Sequence, residues 1–235
     1  MEIRVRGIGK KVGDLQVLTE VNLQLEAASI TAVLGPSGCG KTTLLNILAG
    51  LILPDSGSVS GADETRVSYL FQEPRLLPWK TVRENCLYVL PKNDGTGRIE
   101  LVDELLSMTG LTGFADYYPD ELSGGMKQRA AIVRAFAYPG EIFLLDEPFK
   151  GLDVRLKESL ISSFLTVWER TKPVTLLVTH DIDEAVLLGD KVAVFSSRPG
   201  TVVTYEENPL KRGYRHMDNK ELMEFETKLY KQLLQ

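Results

Sequence analysis

Apolar and polar positions alternate near the start of the chain. Ile3 and Val5 stand among charges, and Val21, Leu23 and Leu25 alternate with Asn22 and Gln24. A period of two marks strands that bury one face. Ile30 to Leu34 is instead an unbroken apolar run, and Gly35-Pro36-Ser37-Gly38-Cys39-Gly40 behind it cannot continue a strand. After Lys41, Leu44, Leu45, Ile47 and Leu48 recur at helical spacing, so the pattern predicts strand, loop, helix. Turn formers (Pro54, Asp55, Ser56, Gly57, Gly61) then separate that helix from an apolar strand at Val67 to Phe71. From Thr81 to Phe136 the pattern turns helical, with Ile99, Val102, Leu105 and Leu106 on one face and Glu100, Asp103 and Glu104 between them. Ile142 to Leu145 and Val174 to Val178 are nearly continuous in apolarity, as strands buried on both faces of a parallel sheet are. Val192 to Phe195, the turn at Pro199-Gly200 and Thr201 to Tyr205 predict a hairpin, and Asp218 to Leu234 a terminal helix. The class is α/β with a helical insertion, and no repeat or linker marks a second full domain.

With 235 residues, 43% of them hydrophobic, the chain is long enough for a real core, which excludes a disordered protein or a repeat array. A net charge of −5 supplies no basic footprint for nucleic acid. Two cysteines, Cys39 and Cys86, are too few for a disulfide framework, and the N-terminus lacks the apolar segment of a signal peptide, so a reducing, cytosolic setting is expected. The longest apolar stretch, Leu44 to Leu53, is broken by Asn46 and Gly50 and falls short of the ~20 residues that span a bilayer. A membrane role would therefore be peripheral.

Three strings carry chemistry. Gly35 to Thr42 fits G-x-x-x-x-G-K-[ST] between a strand and a helix, the setting in which backbone N–H groups cradle a β-phosphate, Lys41 bridges β- and γ-phosphates and the Thr42 hydroxyl ligates Mg²⁺. Ile142-Phe143-Leu144-Leu145-Asp146-Glu147 is an apolar strand ending in two carboxylates. At that strand end Asp146 can reach Mg²⁺ through its water shell, and Glu147 is placed to orient and polarise a water attacking a γ-phosphate. In Leu122-Ser123-Gly124-Gly125-Met126-Lys127-Gln128-Arg129, Ser123 is placed to cap a helix whose first residues are glycines, leaving bare N–H groups for a phosphate. A thiol reagent placed on Cys39, inside the first loop, is expected to block nucleotide.

With this last string the chain resembles the ABC-type ATPases, over roughly residues 3 to 205. The resemblance implies a P-loop, RecA-like ABC ATPase core with an antiparallel β subdomain and a helical signature subdomain. The expected division is a nucleotide-binding core at 1–85 and 137–205, a helical subdomain at 86–136 and a C-terminal extension at 206–235. It also implies ATP and Mg²⁺ as cofactors. Gly35, Pro36, Ser37, Gly38, Cys39, Gly40, Lys41, Thr42, Thr43, Ser123, Gly124, Gly125 and Asp153 would contact nucleotide. Thr42, Gln72 and Asp146 would serve the metal, and Glu147, His180, Gln72 and Lys41 would serve catalysis. Gln72 matches the Q-loop glutamine, His180 the switch histidine and Asp153 the D-loop. In the family the signature of one copy closes on the γ-phosphate held by the other, so a head-to-tail pair is expected.

Phe71 to Asn85, with Ser197-Arg198-Pro199-Gly200, is similar to the nitrate, sulfonate and taurine import subfamily. That implies separate transmembrane permease subunits, an extracytoplasmic solute-binding protein, no nucleic acid, and a place on the cytoplasmic face of the membrane. Leu76, Leu77, Pro78 and Trp79 would form the groove for a permease helix, unless Trp79 packs inward. The alternatives are a cassette of another ABC system, an exporter or one for a different solute, and a DNA-associated ABC-type ATPase; the interval from Lys41 to Ser123 holds no heptad run for the long arms of the last. Two departures stand out. Val12 occupies the place of an aromatic that stacks on adenine, which predicts GTP binding within about tenfold of ATP. Phe149-Lys150-Gly151-Leu152-Asp153 replaces the usual Ser-Ala-Leu-Asp setting.

Overall fold

A computed structural model describes residues 1–62, 65–91 and 96–234. In chain order its strands and helices are β1 (Glu2–Val12), β2 (Leu15–Glu26), β3 (Ile30–Leu34), α1 (Lys41–Leu48), β4 (Ser56–Ser60), β5 (Val67–Leu70), α2 (Val82–Tyr88), α3 (Thr96–Met108), α4 (Gly124–Ala137), β6 (Ile142–Asp146), α5 (Val154–Thr171), β7 (Val174–Thr179), α6 (Ile182–Leu188), β8 (Lys191–Phe195), β9 (Val202–Glu207) and α7 (Lys220–Leu233). They divide into two compact units. The first comprises Met1–Val67, Ile142–Glu147 and Lys172–Gln235, the second Ser68–Glu141 and Pro148–Thr171.

In the first unit β1 pairs antiparallel with β2 on one side and β4 on the other. Ile3, Val5, Leu23 and Leu25 are buried while the residues alternating with them face outward, as the period of two requires. The second sheet of this unit runs β6-β7-β3-β8-β9. β6, β7, β3 and β8 are parallel, and β9 returns antiparallel as the expected hairpin. β3, β6 and β7 are buried at every position, which is why their sequences are unbroken apolar runs. Because β6, β7 and β3 run parallel, the segments leaving their carboxyl ends meet along one edge, where open parallel sheets carry their ligands.

The second unit is mainly helical. Phe136 and Phe149 both lie against Phe164, and Trp168, Leu160, Val102, Leu105 and Leu106 are buried in this unit. A bidentate pair joins Arg170 to Glu104, at 2.8 and 2.5 Å.

Three elements correct the pattern analysis. Ser56–Ser60 is a strand rather than part of a turn-rich separator, because an edge strand needs only backbone pairing to β1 and carries little hydrophobic signature. α5 is an 18-residue helix that the pattern analysis does not assign; Ser159, Ser162, Ser163 and Thr166 are weak helix formers, and burial of Leu160, Phe164, Val167 and Trp168 holds it. α6 is likewise unassigned, being too short for a clear period.

Candidate active site

The site of the first unit is assembled where β3, β6 and β7 end. Leu34 gives way to the glycine-rich loop, and the bond from Leu44 N–H to Gly40 O opens α1. Lys41 is buried. Its ammonium donates to Gly35 O (2.7 Å) and Pro36 O (2.9 Å), so the lysine holds the loop curled around its own head group. The Thr42 hydroxyl donates to Asp146 Oδ2 at 2.8 Å, bringing the end of β6 to the start of α1. A hydroxyl and a carboxylate are hard oxygen donors, a set suited to Mg²⁺ shared with phosphate oxygens.

Glu147 leaves the sheet at φ +47°, a left-handed conformation that costs about 1 kcal/mol in a residue with a Cβ, and its N–H donates to Val178 O at 2.9 Å. Its Oε1 lies 3.1 Å from His180 Nδ1. The carboxylate side chain is only 8% exposed and the imidazole 46%. With Glu147 ionised, Nδ1 must carry the proton of this bond, and in neutral imidazole Nε2 is then left as an acceptor. His180 is steadied from behind: Asp181 caps α6 by accepting from the Asp183 and Glu184 N–H groups, and the Thr179 hydroxyl donates to Glu184 Oε2 at 2.7 Å. A buried carboxylate beside an accessible imidazole is an arrangement for orienting and deprotonating a water.

Cys39, where a thiol reagent is expected to block nucleotide, lies inside the packing. It is 1% exposed, and burial pushes its thiol above the ordinary range despite the nearby Lys41, so it is shielded and weakly nucleophilic instead of open to a reagent.

In the second unit the remaining residues stand at the ends of three different elements. Gln72 follows β5 and is exposed. The chain just beyond it is held by Arg134 of α4, whose guanidinium donates to Pro74 O and Arg75 O, both at 2.8 Å. Ser123 caps α4 through its hydroxyl, which accepts from Met126 N–H at 3.3 Å, leaving Gly124 and Gly125 as the first helical residues. Asp153 caps α5, accepting from Leu156 N–H at 3.1 Å. Gly151 has φ +73° with nothing near the position of a Cβ, so its backbone conformation alone accounts for a glycine there. The role of Arg134 was not legible in the sequence, because its partners are backbone carbonyls that no side-chain pattern announces.

Residues 18–150 match the ABC transporter family. The chain belongs to that family. It is 46% identical over 186 residues to an aliphatic sulfonates import ATP-binding protein, SsuB 1, of Pseudomonas savastanoi pv. phaseolicola, covering 79% of this chain and 77% of that one. An SsuB protein of Bacillus thuringiensis subsp. konkukian is 39% identical over 230 residues, covering 92% and 91%. An uncharacterized ABC transporter ATP-binding protein of Methanocaldococcus jannaschii is 40% identical over 229 residues, covering 92% and 83%. Among solved structures, a dimeric ATP-binding cassette in a post-hydrolysis state bound to ADP and Pi shares 30% identity at a TM-score of 0.76, over 89% of this chain and all of the other. The fold is thus that of an ABC ATPase cassette, and the enzyme is an ATPase.

One surface of this cassette lies outside the nucleotide machinery. Asn85, fully buried on α2, accepts from Leu77 N–H at 2.7 Å and donates to Leu77 O and Lys80 O. The loop is therefore rigid while Trp79 within it is 70% exposed, so the indole does not pack inward.

Proposed function

We propose that this chain is the ATP-hydrolysing subunit of an ABC importer for a small solute of the sulfonate, nitrate or taurine class. The observation that carries the catalytic half is the Glu147–His180 contact beside the Thr42–Asp146 pair at one sheet edge. The transport half is supported by the identity with SsuB proteins and by the exposed Trp79.

In this reading the N–H groups of Gly35 to Thr43 and the Lys41 ammonium bind the phosphates of ATP. Thr42, Asp146 and Gln72 hold Mg²⁺, which supplies charge neutralisation on the phosphates when bound. Glu147 takes the proton of the attacking water, and His180 Nε2, an acceptor in neutral imidazole, holds that water; holding the γ-phosphate instead would take the imidazolium, whose nitrogens both donate. Ser123, Gly124, Gly125 and Asp153 belong to the partner-facing side of a head-to-tail pair of cassettes, where α4 offers its N-terminal N–H groups to the phosphate held by the other copy. As functional divisions, which cut across the two compact units, we propose a nucleotide-binding core at 1–85 with 137–205, a helical subdomain at 86–136 and an extension at 206–235. Closure of the pair is passed through the Leu76–Trp79 surface to separate permease subunits at the cytoplasmic face of the membrane, with an extracytoplasmic solute-binding protein upstream and no nucleic acid involved.

The test is to isolate the tagged chain from gently solubilised native membranes and assay the ATPase of what accompanies it against small anions and sulfonates. Co-isolation of a permease with solute-stimulated hydrolysis is expected, and Trp79→Ala is expected to lose the permease while retaining ATP binding. An ATPase without a membrane partner, or bound to DNA, would contradict the transport reading and leave the catalytic one standing.

A further inference from the structure

The turn between β8 and β9 is built against the phosphate loop. Ser196 N–H donates to Thr201 O (3.0 Å), and Thr201 N–H to the Ser196 hydroxyl (3.1 Å), which closes the turn. Gly200 ties it to β2: its N–H donates to Val17 O at 2.8 Å, and its carbonyl accepts from Thr19 N–H at 3.0 Å. The same residue presses on the phosphate loop, since a Cβ on Gly200 would stand 2.1 Å from Cys39 O, a distance only glycine avoids.

From this anchored turn Arg198 reaches Gly38, and its Nε donates to Gly38 O at 3.1 Å. No carboxylate pairs with Arg198 among the described residues, so its charge stands unneutralised beside a loop built for a polyanion. Gly38 C=O and Cys39 N–H share one planar trans peptide and point in opposite directions. Cys39 N–H faces into the loop, toward Pro36 O at 3.4 Å. Fixing the carbonyl from outside therefore fixes an N–H donor on the inside.

We propose that Arg198 is a positioning residue of the nucleotide site, holding the Gly38–Cys39 peptide so that its N–H faces the phosphates and adding a cation to their surroundings. This rests on reading Gly35 to Thr42 as the phosphate cradle. The test uses the full chain and measures dissociation constants for Mg-ATP by displacement of a fluorescent ATP analogue, with thermal unfolding as a control.

Arg198→Ala is expected to weaken ATP about tenfold, the low end for a hydrogen bond that involves a charged group. The difference should shrink at high salt, and the unfolding midpoint should stay unchanged. Arg198→Lys, which keeps a donor and the charge, should bind within about twofold of the unaltered chain. Unchanged affinity in Arg198→Ala, or equal weakness in the Ala and Lys variants, would overturn the proposal. Lys41→Ala separates the two readings. If it loses ATP while Arg198→Ala does not, only the role of Arg198 falls; if it binds ATP undiminished, the phosphate cradle itself is misassigned.

Discussion

The two units solve different problems with different materials. In the first, the groups proposed to handle ATP are polar and charged side chains beside the ends of buried parallel strands, each with a partner: Lys41 in its loop carbonyls, Thr42 on Asp146, Glu147 on His180. In the second, Ser123 and Asp153 are exposed helix caps, Gly124 and Gly125 bring backbone only, and Gln72 is an exposed amide. The first has the composition of a reaction centre and the second that of a clamp, because aligned N–H groups at a helix start bind an anion without supplying a base or a strong cation. In the head-to-tail pair proposed above, each centre would meet the other copy's clamp.

Changes to the reaction centre should have the largest effects. Glu147→Gln is expected to cut turnover at least ~100-fold, the scale of a general base, while ATP binding persists. Steady-state hydrolysis alongside equilibrium binding measures both, and retained hydrolysis would mean that another group orients the water. Lys41→Ala removes a buried ammonium from the phosphate loop and should weaken ATP about 10–100-fold in the same binding assay.

Smaller effects sharpen the contrast. Val12 is exposed at the end of β1 and cannot stack on a base, so competition titrations are expected to place GTP within about tenfold of ATP. A strong adenine preference would show that other residues read the base. In the clamp, Ser123→Ala forfeits a cap and Gly151→Ala forces a Cβ onto φ +73°. Each should cost about 1 kcal/mol of stability by denaturant unfolding, whatever it does to turnover.

The reaction centre was more legible in the sequence than the frame that holds it. Gly35 to Thr42, Asp146-Glu147 and His180 each follow an apolar run, so the place where strand chemistry stops is written in local pattern. α5 was not legible, because its serines and threonines argue against a helix until Phe164 and Trp168 are buried by distant residues. β4 was hidden for a similar reason, its pairing being entirely backbone. The burial of Cys39 is a property of the packing that its place in a loop does not announce. The Ser197–Gly200 string was visible, but the contact from Arg198 to Gly38, 160 positions away in sequence, belongs to the folded chain alone.

The division of labour between the two units is tested most directly by mixing two inactive chains, Lys41→Ala with an intact clamp and Ser123→Arg with an intact phosphate loop, and measuring ATP hydrolysis. A head-to-tail pair leaves one intact site in each mixed dimer, so random pairing should restore about one quarter of the unaltered activity. A mixture as inactive as its components, under conditions where mixed dimers are present, would contradict the claim that one chain's reaction centre is completed by the other's clamp.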